Sequence, residues 1–230
     1  MKMGVKFLAA LVVLTSASSF ATAADPNPLQ EFCVATNDTK DAVFVNGQLC
    51  KDPKLAGPDD FYASGIHTPS NTSNRLGSKV VMFDVETIPG LNTLGVSVAR
   101  IDLAPDGVNP PHSHPRTSEL LVVLEGTIYA GFITSTHEIS RLFWKELNKG
   151  DVFAFPMGLI HFQHNSGNTS AVALACYGSQ RGGVVKVPNT IFGASPPIEV
   201  DVLTKAFQLD EKVVKHLQEL SWLNSPTPPS

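Results

Sequence analysis

The chain has 230 residues, 43% hydrophobic and 17% charged, with a formal net charge of −4. That length supports one large all-β domain or two small ones once a leader is set aside. The acidic balance excludes nucleic acid as a partner, because phosphate binding needs a basic stripe.

Residues 1–23 read as a secretory signal peptide. Lys2 and Lys6 give a basic start, Phe7 to Leu14 an apolar core, and Ala21-Thr22-Ala23 a small-residue cleavage site before Ala24 or Asp25. The apolar core is too short for a membrane anchor, and no other stretch is long enough to span a bilayer. Removing the two leader lysines leaves 15 basic against 21 acidic residues, a net −6. The mature chain thus has no global attraction for an anionic substrate, and any steering falls to Arg100 or Arg116.

Residues 24–78 read as an irregular N-terminal extension punctuated by Pro53 and Pro58, wrapping the outside of the strand-rich region after it. Val43-Phe44-Val45 is a short strand before the Asn46-Gly47 turn. In an oxidising compartment Cys33 and Cys50, both in this polar segment, are expected to pair. A loop of that length stabilises by about 3 kcal/mol in the chain-entropy view. Cys176, inside the apolar run Ala171 to Tyr177, reads as a buried unpaired hydrophobe, or else as a bridge between chains. Three glycosylation sequons begin at Asn37, Asn71 and Asn168; Asn71, in a polar loop, is the best acceptor.

Residues 79–200 read as strands throughout. They are Val80 to Val85, Thr93 to Leu103, Glu119 to Leu124, Thr127 to Thr134, Ile139 to Leu147, Asp151 to Phe155, Ile160 to His164, Ala171 to Tyr177 and Val184 to Lys186. Short, regular turn spacing predicts a sandwich or jelly-roll barrel. Alternation changes phase between Val98 and Ile101, predicting a bulge near Ala99-Arg100 or burial of both faces. Residues 201–224 are helical, with Val213, Leu217 and Leu220 forming an apolar stripe that needs a partner. Residues 225–230 form a proline-rich tail, expected to be disordered.

The chemistry concentrates between Pro110 and Gly126. His112 and His114 are two apart, so in a strand both imidazoles face one point. Glu119 has the wrong parity for the same straight strand, but Pro115 supplies a bend and Glu119 opens a second strand. His161 follows the block Gly150 to Ile160. Three imidazoles and a carboxylate suit manganese, iron or zinc. Four ligands plus open positions fit an octahedral ion better than catalytic zinc, which has three protein ligands. His164 has the opposite parity to His161, and His67, His137 and His216 lie in loop, turn and helix contexts; none is assigned as a ligand. Phe155, Met157 and Phe162 are expected to pack around the site.

Together, His112, His114, Glu119 and Gly126, followed by Gly150, Pro156, Gly158, His161 and Asn165, resemble the two motifs of the cupin superfamily. One glycine of the first motif is replaced by Asp106, with Gly107 beside it. Over nearly its whole length the chain resembles the plant germin-like proteins, including Asp25 to Cys33 and Pro188 to Gly193. The resemblance implies a single cupin jelly-roll β-barrel with C-terminal helices that pack on a neighbouring subunit in a homohexamer, a trimer of dimers. It also implies the Cys33–Cys50 pair, Mn2+ as cofactor and a place in the apoplast or cell wall. In oxalate-oxidising germins an asparagine matching Asn109 and a second one matching Ala99 bind the substrate. Asn109 is kept and Ala99 is a departure, which weighs against oxalate oxidase. Superoxide dismutation releasing hydrogen peroxide, with a role in plant defence, is the leading expectation. A non-catalytic extracellular structural, receptor or storage role is the alternative.

Overall fold

The computed structural model describes residues 31–40, 42–45, 48–135, 139–220 and 222. The predicted signal peptide, the Asn46-Gly47 turn, His137 and the 225–230 tail lie outside the described residues.

A short hairpin of β1 (Val43–Val45) and β2 (Gln48–Cys50) precedes the barrel. The barrel strands are β3 (Ser78–Phe83), β4 (Ser97–Leu103), β5 (Val108–Ser113), β6 (Glu119–Glu125), β7 (Thr127–Ile133), β8 (Leu142–Asn148), β9 (Val152–Phe155), β10 (His161–Asn165), β11 (Ala171–Tyr177) and β12 (Val185–Lys186). They form two antiparallel five-stranded sheets, ordered β12-β5-β10-β7-β8 and β3-β4-β11-β6-β9. The fold is all-β with small C-terminal helices, as the strand spacing predicts.

Alternation explains the packing. Leu121 and Val123 of β6, and Ala171, Ala173, Ala175 and Tyr177 of β11, all face inward. The alanines leave room for Leu103, Leu121 and Phe155, which are almost fully buried. Burying one such large side chain contributes about 1.5–3 kcal/mol.

The phase change in β4 has the second of its two expected causes. β4 pairs in unbroken register with β3 and β11, so there is no bulge. Ala99, Ile101 and Leu103 face the core, while Arg100 and Asp102 are buried on the other face. Arg100 donates from Nη2 to Asp102 at 2.7 Å and from Nη1 to the carbonyls of Ile66 and His67. The Ser70 amide donates to Asp102. This pair pins the N-terminal extension to the barrel, so Arg100 cannot steer a substrate. Leu94 and Val96, expected in this strand, precede it in an exposed turn.

Several other details differ. Cys176 is exposed and free, because β11 turns it outward between the inward Ala175 and Tyr177. Asp106 adopts φ +61°, so the turn expected of the missing motif glycine forms with an aspartate, which tolerates that region. Gly107 supplies the close approach: a Cβ there would lie 2.3 Å from the Gly77 carbonyl oxygen.

Helix α1 (Val187–Phe192) begins directly after β12, with Pro188 in its first turn; the sequence reading missed it. It is followed by α2 (Val200–Phe207) and α3 (Glu211–Glu219), the latter capped by Asp210. The buried residues are Leu203 and Val214, whereas Val213 is 44% exposed. Of the expected α3 stripe, Leu217 and Leu220 are half-buried, while Val213 gives way to its neighbour Val214. Phe192 stands 5.5 Å from Phe207 and 6.0 Å from Trp222 between ring centroids, so aromatic side chains join α1 to α2 and to the segment after α3.

Candidate metal centre

The centre forms where β5, β9 and β11 end and β6 and β10 begin. The chain crosses from one sheet to the other between β5 and β6, at residues 114–118. His112 and His161 come from directly paired positions in one sheet, Glu119 from the first position of β6 in the other, and His114 from the crossing. The predicted bend at Pro115 is therefore a change of sheet. Between Asn109 and His112 the register against β10 slips, and the consecutive Pro110 and Pro111 occupy the irregularity. Prolines suit this place because they have no amide to give to a ladder. The slip lets Asn109 and His112, three residues apart, both reach the interior.

One ligand atom from each of His112, His114, Glu119 and His161 lies within 4.8 Å of the others, and all four residues are buried. The rings are held from behind. Nδ1 of His112 meets the Pro110 carbonyl at 2.8 Å, Nδ1 of His114 that of Gly183 at 2.5 Å, and Nδ1 of His161 that of Leu159 at 2.8 Å. A carbonyl only accepts, so each Nδ1 carries the hydrogen. Each Nε2 is then left to face the centre, the tautomer a metal ligand requires. His114 and His161 place Nε2 3.0 and 3.3 Å from the same Glu119 oxygen.

The electrostatics agree with this donor set. Burial, then the charge of His161, pushes His112 down to about 3, so its ring is neutral at neutral pH. Burial would raise the Glu119 carboxyl, but its hydrogen-bonding contacts with the His114 and His161 rings outweigh it and bring it to about 2. Three imidazoles and an anionic carboxylate make a buried group able to hold a divalent metal.

Surrounding residues fix the group. Gln163, two residues beyond His161 and fully buried, donates to the other Glu119 oxygen at 3.1 Å. The Asn109 amide donates to Gln163 at 2.7 Å. Asn109 therefore sits two hydrogen bonds from the carboxylate. Gln163 was absent from the sequence reading, although its parity with His161 marks it as inward. Phe155 stacks on His161 with centroids 4.4 Å apart, and Tyr177 lies edge-on to His114 at 4.9 Å. Met157 is 39% exposed and Phe162 turns outward to Tyr129, so neither contacts the ligands as expected. Ala99 is buried in the core. His164 faces away and pairs with Asp106 at 3.0 Å. His67 and His216 are exposed. Arg116 is exposed, its guanidinium donating to the Arg181 carbonyl in the same loop that supplies Gly183. Cys33 and Cys50 form a disulfide. The sequon residues Asn37, Asn71 and Asn168 are all exposed.

The cupin family model matches residues 64–215. Germin-like protein subfamily 1 member 14 of Arabidopsis thaliana is 53% identical over 216 residues, 93% of this chain and 97% of that protein. Subfamily 1 member 17 from the same plant is 54% identical over 208 residues, 90% of this chain and 94% of that one. Among solved structures, an oxalate oxidase in complex with the substrate analogue glycolate superposes with a TM-score of 0.79 at 45% identity, covering 84% of this chain and 96% of its own. Sequence, barrel and buried ligand group lead to one conclusion: the chain belongs to the germin-like proteins of the cupin family.

Proposed function

We propose that this is a secreted, glycosylated manganese protein of the plant apoplast that dismutates superoxide to hydrogen peroxide and dioxygen, in a defence role. The observation carrying the proposal is the buried group of three histidines and one glutamate, with all three imidazoles held in the ligating tautomer. Bound manganese would supply one-electron cycling, one superoxide being oxidised and the next reduced with uptake of two protons. His112, His114, Glu119 and His161 would hold the ion. Gln163 aims Glu119, and Phe155 closes one side of His161 against water. The disulfide and the exposed sequon asparagines support secretion. Exposed apolar side chains on β8 and the C-terminal helices support self-association as a homohexamer, a trimer of dimers.

Oxalate oxidation, the activity of the glycolate-bound relative, is less favoured. Ala99 offers no donor, and the amide of Asn109 is already engaged by Gln163. The test is metal content of the purified secreted protein, with superoxide turnover measured before and after chelation and on His112→Ala. Near-stoichiometric manganese, with activity lost on stripping and in the variant, supports the proposal. Manganese with turnover of oxalate instead would reverse the ranking. Little metal in a stable folded assembly would leave a non-catalytic structural, receptor or storage role.

A further inference from the structure

A cleft of about 400 Å3 lies on the flank of the barrel, lined by Lys79, Lys186, Asn109, Asn71 and Ser73, among others. Lys79 belongs to β3 and Lys186 to β12, edge strands of the two different sheets, so the cleft bridges the seam between them. Its two charged lining residues are both cationic, and no carboxylate lines it. Among the described residues neither lysine takes part in a salt bridge. In a chain whose formal charge is −4, two unpaired ammonium groups on one cleft are unusual. Lys186 is only partly exposed and lines the same cleft as Lys79. A solvated lysine face would spread its charges into water; here they converge on a concavity that also presents a side-chain amide and a hydroxyl.

We propose that this cleft binds a small multivalent oxyanion, a phosphate-sized ion or a short dicarboxylate, between Lys79 and Lys186. An anion placed there neutralises both amines and removes their mutual repulsion, and charge-assisted hydrogen bonds supply the affinity. The cleft also reaches Asn109, whose amide leads through Gln163 to Glu119.

The experiment is a calorimetric titration of the full assembled protein with inorganic phosphate and, separately, succinate, at constant ionic strength. It is repeated on Lys79→Gln and Lys186→Gln, which keep most of the side chain and remove its charge. Saturable binding by the parent protein, weakened roughly tenfold or more in each variant, is the expected result; tenfold corresponds to about 1.4 kcal/mol. Whichever probe binds more tightly identifies the class of oxyanion. Because Asn71 lies at the rim, the titration is also run after enzymatic removal of carbohydrate, and binding should persist. No saturable binding to the deglycosylated protein, or equal binding by parent and variants, would overturn the proposal. Lys79 is exposed, so its variant should fold even if Lys186→Gln does not. The readout is independent of any redox turnover, so failure here leaves the proposed dismutation standing, and the reverse.

Discussion

At the scale of single residues, the centre depends as much on what stands behind the ligands as on the ligands. Gln163 donates to Glu119 and accepts from Asn109, all three within the barrel. Replacing it with leucine preserves bulk but frees the carboxylate to turn and leaves the Asn109 amide without its acceptor. Partners of this kind typically affect metal affinity by about 10–100-fold. Gln163→Leu should therefore lose metal to a competing chelator within that range while keeping its fold, whereas His112→Ala, which removes a ligand, should retain less. Equal retention by Gln163→Leu and the parent would show that Glu119 is held by the histidines alone. Acid provides a second check. His112 has a folded value of about 3 against 6.5 for the free side chain, and Glu119 about 2 against 4.5. Both are depressed, so the unfolded chain binds protons first as pH falls. The stability these groups contribute in the metal-free protein is present above pH 6.5, declines from there toward pH 3 through His112, and declines further from pH 4.5 toward 2 through Glu119. Thermal melts of metal-stripped protein between pH 7 and 3 should show the first decline, and His112→Asn should flatten it.

At the scale of elements, strands with one clean buried face were legible, and elements governed by tertiary contacts were not. Ala171 to Tyr177 was found with its observed bounds because alternating alanines and a tyrosine define its inner face. Its exposed Cys176 follows from the same alternation, which hydrophobic content alone obscured. The spacing of His112 and His114 implied a strand there but not its bounds, because Pro110 and Pro111 obscure it; pairing with β10 and β12 sets β5 at Val108–Ser113, and His114 lies just past its end. The four ligand residues could be named from motif spacing, but the hydrogen-bonded carbonyls that orient them, Pro110, Leu159 and Gly183, are backbone atoms with no residue signature. Arg100 and Asp102 were similarly opaque, since their burial arises from residues 66–70 folding over β4. That pair makes an element-scale prediction. Asp102→Ala leaves a buried guanidinium without its carboxylate, which costs about 3–5 kcal/mol. For a chain of this size each kcal/mol lowers Tm by roughly 2–4 °C. The double variant Arg100→Met, Asp102→Leu should recover much of that loss in the same melt, because no isolated charge remains. A double variant no better than Asp102→Ala would mean that the extension is held by the arginine's bonds to Ile66 and His67.

At the scale of the whole molecule, the barrel closes its core but not its outer surface. β8 is an edge strand, with Leu142, Phe143 and Trp144 each more than 40% exposed. Val202 and Phe207 of α2 and Val213 of α3 are exposed to a similar degree at the other end of the chain. The helices bury Leu203 and Val214 among themselves, so their remaining apolar side chains form a second surface rather than the unfilled part of the first. Two separate apolar surfaces on one chain are what two kinds of subunit contact need, one within a dimer and one between dimers. Each surface should therefore be removable by itself. Trp144→Glu and Phe207→Glu each place a charge where a contact between subunits would exclude water, and both positions are exposed in the single chain, so the fold should tolerate them. Light scattering of the purified protein is expected to show the hexamer for the parent and a smaller species for each variant, with the combined variant smaller still. If the two variants break the assembly to different intermediate sizes, one surface makes the dimer and the other joins dimers. A parent protein that runs as a monomer at micromolar concentration would sink the hexamer and leave both surfaces needing another partner.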